Sequence, residues 1–350
     1  MKEHLEAGEF LKLKEQIPLV DVRTPAEFVQ GHIPGAINIP LFSNDERVIV
    51  GTMYKKSGKE AAILKGLDIV GPKMSSYVKS AKRIAPKGKI LVHCWRGGMR
   101  SGSMAWLFRT AGLEASTLIG GYKAYRSFIR EQLGKEANLV ILGGKTGSGK
   151  SEILRVLAGS GEQMLDLEAI AHHKGSAFGH IGQEDQPTSE QFENNLFEAW
   201  KSFDLSRPVW LEDESRSIGK VSIPDPLFIN MRNSPVIFID LSMDERVKRL
   251  VKEYAEFELE SLEQAVMRIS KRLGGQNVRN ALSAIQNRDF AKAAAITLHY
   301  YDKAYLNGLE KRSKDNIYKL QLEVDNPEKN ALFVKKFYAD SIRNVEKNDF

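Results

Sequence analysis

The chain has 350 residues, 42% of them hydrophobic and 27% charged, so it exceeds one ordinary domain and predicts two globular ones. Its net charge of +6 suits a polyanionic partner without requiring one. The apolar runs, of which VWL and VIFI are typical, fall far short of the ~20 residues of a membrane helix, and MKEHLEAGEFLKLKEQ lacks the apolar core and cleavage site of a signal peptide. Cys94 is the only cysteine, which excludes an intramolecular disulfide and fits a reducing compartment. A cytoplasmic protein without membrane contact is expected.

To about Leu133, short strands and helices alternate. IPLVDVR (17–23) and KILVHC (89–94) read as buried strands. RSGSMAWLFRTAG (100–112) reads as a helix stopped at Gly112, and STLIGG (116–121) as a strand and turn. Such alternation predicts a parallel sheet. The segment HCWRGGMRSGSMAW starts at His93 and runs from a strand straight into Cys94. Gly97 and Gly98 let backbone N–H groups turn inward, and the loop ends at a helix N-terminus, which makes an anion cradle. That field favours a thiolate nucleophile, and Arg96 and Arg100 add positive charge. Cys94, Arg96 and Arg100 are therefore the candidate catalytic residues. A buried inert cysteine, the plainer alternative, leaves the two glycines and two arginines unexplained.

The segment DVRTPAEFVQGHIPGAINIP (21–40) carries Asp21, Arg23, Glu27, Gly31, His32, Pro34, Gly35, Ala36, Asn38 and Pro40 in an order that resembles the early part of rhodanese domains. The resemblance implies that Cys94 carries sulfur as a persulfide. One departure stands out. Sulfur-transferring rhodaneses usually place four residues between the cysteine and the arginine, whereas five, residues 95–99, stand here. A wider loop, as in related phosphatase and arsenate-reductase domains, suits a tetrahedral phosphate-like anion.

The charged stretch REQLGKEAN (130–138) marks a boundary, giving domains 1–135 and 136–350. Strands are expected at LVILGG (139–144), QMLDLE (163–168), PVWLEDE (208–214) and PVIFIDL (235–241). Between the first strand and a helix lies GKTGSGKS (144–151), which satisfies the P-loop pattern. Gly144, Lys145, Thr146, Gly147, Ser148, Gly149, Lys150 and Ser151 would wrap a diphosphate, with Lys150 reaching its oxygens and Ser151 open to Mg²⁺. Of the acids Asp166, Glu168, Glu212, Asp213 and Glu214, Asp213 follows its apolar run best, so ATP hydrolysis stays open. Arg216 in ESRSIG (214–219) is available to an anionic ligand. HHKGSAFGHIG (172–182) holds three histidines at a spacing that suits no common zinc site and reads as a loop near the phosphates; no metal ligands are assigned. After Ser242 the pattern becomes helical, over about 243–350. Within it Arg268, Lys271, Arg272, Arg279 and Arg288 occur with no Asp or Glu among them, the footprint of phosphate contacts or else a solvated helix face.

The expected fold is therefore α/β: a rhodanese-like parallel-sheet domain followed by a P-loop NTPase-like α/β domain with a helical C-terminal region. That order, together with HCWRGGMRSGSMAW, GGKTGSGKSEIL, DLEAIAHHKGSAFG and VWLEDESRSIG, resembles the tRNA 2-selenouridine synthases over nearly the whole chain. The resemblance implies a transferase acting on tRNA that bears a 5-substituted 2-thiouridine at the wobble position. The resemblance further implies that a geranyl group from geranyl diphosphate is attached to the sulfur and that selenium from selenophosphate then displaces the geranylated sulfur. Geranyl diphosphate would occupy the P-loop, selenophosphate the Cys94 loop and tRNA the 268–288 stretch, with a selenophosphate-supplying enzyme as a further partner. Whether Cys94 forms a perselenide or only positions the donor stays open. An ATP-using sulfurtransferase, a phosphatase, and a non-catalytic module binding nucleic acid and nucleotide are the competing readings.

Overall fold

The computed structural model describes residues 1–343. The chain divides into two compact units, one of Met1–Gln132 with Glu193–Glu198, the other of Leu133–Phe192 with the chain from Ala199 onward.

The first unit is built on five strands: β1 (His4–Leu5), β2 (Leu19–Asp21), β3 (Ile37–Asn38), β4 (Lys89–His93) and β5 (Glu114–Leu118). Their order is β1-β5-β4-β2-β3 and every pairing is parallel. Ile90, Leu91 and Val92 of β4 are wholly buried, as a central strand covered on both faces by crossover helices must be. Val20, Val22, Ile90 and Val92 pack with Met104 and Phe108 of the helix Met99–Thr110. A 27-residue helix, Asn44–Val70, has no counterpart among the expected elements. Ser43 and Glu46 start it with a capping box, and Gly58, at φ 90°, breaks it into two pieces. The helix Met74–Ile84 follows.

The second unit holds β6 (Leu139–Gly144), β7 (Gln163–Met164), β8 (Val209–Glu212), the small antiparallel pair β9 (Ser217–Ile218) and β10 (Val221–Ser222), β11 (Val236–Asp240) and β12 (Ile317–Gln321). The main sheet runs β12-β11-β6-β8-β7, again all parallel. From β6 the chain builds first to one side and then crosses to the other, so the end of β6 is a topological switch point, where open α/β sheets bind ligands.

Two local expectations shift. The strand foreseen at 163–168 ends at Met164, because the Asp166 side chain accepts a hydrogen bond from the Ala169 N–H and starts the helix Leu167–Ala171. The region after Ser242 is helical only to Leu309; β12 then pairs along all of β11, followed by the helix Pro327–Tyr338. Residues 344–350 of that expected helical region lie outside the described residues. The helices between Met243 and Leu309 enclose a core of their own around Tyr254, Leu262, Val266, Ile285 and Leu298. Among the described residues no helix is long and apolar enough to cross a membrane.

Candidate active site

Cys94 leaves the end of β4, the middle strand of its sheet, and is 3% exposed. Its Sγ lies 3.2 Å from Ser101 Oγ, in the first turn of Met99–Thr110. Backbone hydrogen bonds tie the start of the loop to the chain at Tyr122 and Lys123. The N–H groups of Tyr122 and Lys123 donate to the carbonyls of Cys94 and Trp95 at 2.8 and 3.0 Å. With those carbonyls turned back, the N–H groups of residues 95–101 meet no acceptor among the described residues. A run of open amides at a helix N-terminus is an anion site.

Gly97 and Gly121 make this packing feasible. Both have left-handed backbones, φ 65° and 62°. A Cβ on Gly121 would lie 2.4 Å from both Cys94 O and Gly97 N, and one on Gly97 would lie 2.5 Å from Leu118 O. No rotamer change relieves a clash with backbone. Gly121→Ala is expected to destabilise the protein by about 3 kcal/mol or more, from overpacking and left-handed strain together, read by chemical denaturation.

The arginines part company. Arg96 is exposed. Arg100 forks onto Glu27, Nη1 to Oε2 at 2.7 Å and Nη2 to Oε1 at 3.2 Å. Burial pushes the Glu27 carboxyl up, but the bonds from Arg100 and the Thr24 N–H outweigh it and hold the group below its ordinary range. Glu27 is also the third residue of the helix Pro25–Gln30, capped by Thr24. The early motif therefore aims the arginine of the later one. Beneath the loop, Arg23 and Asp21 form a wholly buried bidentate pair, and Arg23 also lies 3.8 Å from the centre of the Tyr122 ring. His93 stands beside Asp21, and burial pushes its pKa down to about 4, so it stays neutral. These residues support the loop from below.

In the second unit the loop after β6 opens the helix Lys150–Gly159. The N–H groups of Thr146, Gly147, Gly149, Lys150 and Ser151 meet no acceptor among the described residues, while Ser148 N–H closes the turn onto Lys145 O. Lys150 Nζ donates to Gly144 O at 3.0 Å, and Lys145 Nζ pairs with Asp240 at 3.0 Å. The buried Arg246 donates to Thr146 O and forks onto Asp302 at 2.7 Å on both arms, so the helical region props the loop.

A cavity of about 360 Å³ adjoins the loop. Its lining includes the loop residues Gly144, Thr146, Gly147, Gly149, Lys150 and Ser151, the aromatic residues Phe178, Tyr254, Phe257 and Tyr301, and the carboxylates Glu168, Glu212 and Glu214. The rings of Phe178 and Tyr254 stack at 5.1 Å. The three glutamates bring one oxygen each within 4.8 Å of the others, the sole such donor group among the described residues. Ser151 Oγ donates to Glu168 at 3.3 Å, and Glu212 Oε1 is buried without a partner. Burial, then the Glu212 and Glu214 carboxyls, push Glu168 up to about 9; burial and Glu212 push Glu214 up to about 8. In the fold these groups keep protons that the unfolded chain releases in the ordinary carboxylate range, so stability falls as pH climbs from that range to about 9. The melting temperature in metal-free buffer is expected to drop over that span, and Glu168→Gln is expected to flatten the drop; a flat profile in the unaltered protein contradicts this.

Asp213 lines the cavity but is already committed, accepting from Arg312 at 2.5 Å and from Tyr305 OH at 2.9 Å. Tyr305 OH also accepts from Gly144 N–H, tying the ends of β6 and β8 together. Sequence reasoning passed over Tyr305, since a lone tyrosine far along the chain carries no local signal. Arg216 lies outside the cavity lining, exposed and paired with Asp225. His180 accepts from Arg268 at 2.9 Å; the three histidines join no common donor group. Arg268, Lys271, Arg272, Arg279 and Arg288 are all exposed on or beside the helices Leu259–Arg268, Ser270–Leu273 and Gly275–Gln286. Among the described residues none of the five pairs with a carboxylate; Arg272 reaches Tyr300 OH and Arg279 reaches Gln276.

Residues 6–128 match the rhodanese-like domain family and residues 137–327 match the tRNA 2-selenouridine synthase AAA domain, more than half of the chain. The tRNA 2-selenouridine synthase of Bdellovibrio bacteriovorus is 36% identical over 87% of this chain and 92% of its own length. That of Bordetella petrii is 37% identical over 85% and 88%, and that of Nitrosomonas europaea 32% over 86% and 91%. With an open-amide cysteine loop in one unit, a P-loop in the other and relatives matched along most of their length, the chain belongs to the tRNA 2-selenouridine synthase family.

Proposed function

We propose that the protein converts a 5-substituted 2-thiouridine at the tRNA wobble position to 2-selenouridine in two transfers, with geranyl diphosphate and selenophosphate as co-substrates. The reaction belongs in the cytoplasm, where tRNA and reducing conditions meet. The observation that carries the reading is the P-loop cavity, whose lining combines residues with open backbone amides and a group of aromatic side chains. A diphosphate with an apolar tail fits both.

In the first transfer the thiouridine sulfur attacks C1 of geranyl diphosphate. The C–O bond breaks, its electron pair leaves with the diphosphate, and the uridine N3 proton is released. The open amides of the loop and Lys150 stabilise charge gathering on the leaving group. A divalent cation fits here: Ser151, Glu168, Glu212 and Glu214 offer the oxygen donors Mg²⁺ takes, and the partnerless Glu212 Oε1 is what such an ion would satisfy. Bound there, it would offset diphosphate charge.

In the second transfer, oxidation states decide which bond breaks. Selenium in selenophosphate is already at the selenide level. Attack of the Cys94 sulfur on selenium would leave the P–Se electron pair on phosphorus, as phosphite. Attack on phosphorus needs no redox partner: an S–P bond forms, the P–Se bond breaks, and hydrogen selenide anion departs with the pair. That anion attacks C2 of the S-geranylated uridine, expelling geranylthiolate, and water returns Cys94 and phosphate. The open amides of residues 95–101 suit the phosphoryl group in this step.

The test is to incubate the protein with 2-thiouridine-containing tRNA, geranyl diphosphate and selenophosphate, then digest the RNA and run nucleoside mass spectrometry. Geranylated and then selenium-containing uridine is the expected sequence. Unchanged 2-thiouridine, or conversion that requires ATP in place of geranyl diphosphate, would overturn the reading.

A further inference from the structure

The positive charge of the chain is not spread evenly. Residues 44–89 hold eleven Lys and Arg against four Asp and Glu, a net +7, where the entire chain carries +6. Apart from this segment the chain is close to neutral. The segment comprises the kinked helix Asn44–Val70, the helix Met74–Ile84 and the turn into β4. It is a different segment of the chain from the basic stretch at 268–288, which belongs to the other unit.

Its cations are not spent on internal ion pairs. Lys73 pairs with Glu46. Among the described residues, Lys55, Lys56, Lys59, Lys79, Lys82, Arg83 and Lys87 are exposed and have no carboxylate within ion-pair distance. Spacing gathers some of them further. Lys79, Lys82 and Arg83 stand at i, i+3 and i+4 of one helix and so share a face. The opposite face, Tyr77 and Ala81, is buried against the core that Met104 and Phe108 help form. The charged face is thus rigidly mounted on the domain that carries Cys94. Tyr54, 59% exposed beside Lys55 and Lys56, offers a ring on which an unstacked base can lie.

We propose that the two helices between Ser43 and Ala85 form a second RNA-binding surface, on the cysteine-bearing unit, that grips the backbone of the tRNA substrate. The proposal rests on the tRNA reading given above and deepens it: the unit that performs selenium transfer holds the RNA by its own phosphate contacts. A basic helix with exposed Val48, Ile49, Leu64 and Leu67 also has the composition of a membrane-surface element. The second helix argues for RNA instead. No large apolar side chain is exposed between Leu67 and Met99, so the Lys79 face has phosphate-binding charge but nothing to insert into lipid.

The experiment uses the full chain and 2-thiouridine-containing tRNA, with affinity measured by filter binding over a range of salt. Two exposed-surface variants are compared, Lys55→Ala/Lys56→Ala/Lys59→Ala and Lys79→Ala/Lys82→Ala/Arg83→Ala, their folding checked by circular dichroism. Each is expected to bind tRNA about tenfold or more weakly near physiological salt and to lower the slope of log affinity against log salt by about 2. Tyr54→Ala is expected to weaken binding with the slope unchanged, because stacking releases no counterions. Unaltered affinity and slope in both triple variants would overturn the surface while leaving the tRNA reading standing. Failure of the unaltered protein to bind tRNA would overturn both. Variants that bind tRNA normally but lose binding to vesicles containing anionic lipid would reassign the surface to a membrane.

Discussion

Replacement of Cys94 by alanine is expected to let S-geranylated tRNA accumulate while formation of 2-selenouridine falls by about 1000-fold or more, the scale on which a lone nucleophile is missed. Among the described residues the thiol has one polar contact, Ser101 Oγ at 3.2 Å, so its removal frees little. The loop is held by the backbone contacts of Gly97 and Gly121 and by the Tyr122 and Lys123 N–H groups, and these survive the change. Alanine leaves a cavity about the size of one sulfur, at a cost of roughly 1 kcal/mol, too little to unfold the unit. Cys94→Ser sharpens the result: it keeps a partner for Ser101 but is a far weaker nucleophile at neutral pH, and it is expected to behave as the alanine variant does. Both nucleosides are quantified from one digest by mass spectrometry. Equal loss of geranylation and selenation would refute the division of labour between the two loops.

Both loops were legible because each is written in consecutive residues. A strand ending in Cys94 and a helix opening within six residues fix the cysteine loop locally, and GKTGSGKS does the same for the phosphate loop. The sheets followed from apolar runs such as ILV and LVIL, whose burial is complete. What failed to show in sequence depends on distant partners. Asp213 looked like the acid facing the phosphates, and nothing nearby discloses that Tyr305 and Arg312, 92 and 99 residues away, hold its two oxygens. Arg100 read as a free positive charge, yet its guanidinium is held by Glu27, 73 residues earlier. Strand β12 was hidden in a helical reading because only its pairing with β11 makes a strand of IYKLQ. The long helix Asn44–Val70 escaped notice because its apolar residues are half-buried or exposed, with Ala62 and Gly66 its only buried positions, so the usual periodic stripe is weak.

Lys150→Ala is expected to produce the opposite block from Cys94→Ala: 2-thiouridine remains unmodified, with geranyl transfer reduced about 1000-fold or more. Among the described residues Lys150 Nζ bonds only to Gly144 O at the end of β6, 3.0 Å away, so the amine is free to swing to a ligand and its loss leaves a carbonyl that water can reach through the cavity. A stability change under about 1 kcal/mol is expected, and the effect is therefore read in rate, through lost stabilisation of charge on the departing diphosphate. Lys150→Arg keeps the charge but replaces a compact ammonium with a planar fork, and is expected to recover only part of the activity in a cavity of about 360 Å³. The decisive arm bypasses the first transfer. Given tRNA that is already S-geranylated, the Lys150→Ala protein is expected to form 2-selenouridine at the rate of the unaltered protein, since the cysteine loop and the amides of residues 95–101 are intact. A variant that fails on this substrate as well would show that the P-loop unit also serves selenium transfer, and the two loops would then have to be treated as one catalytic system.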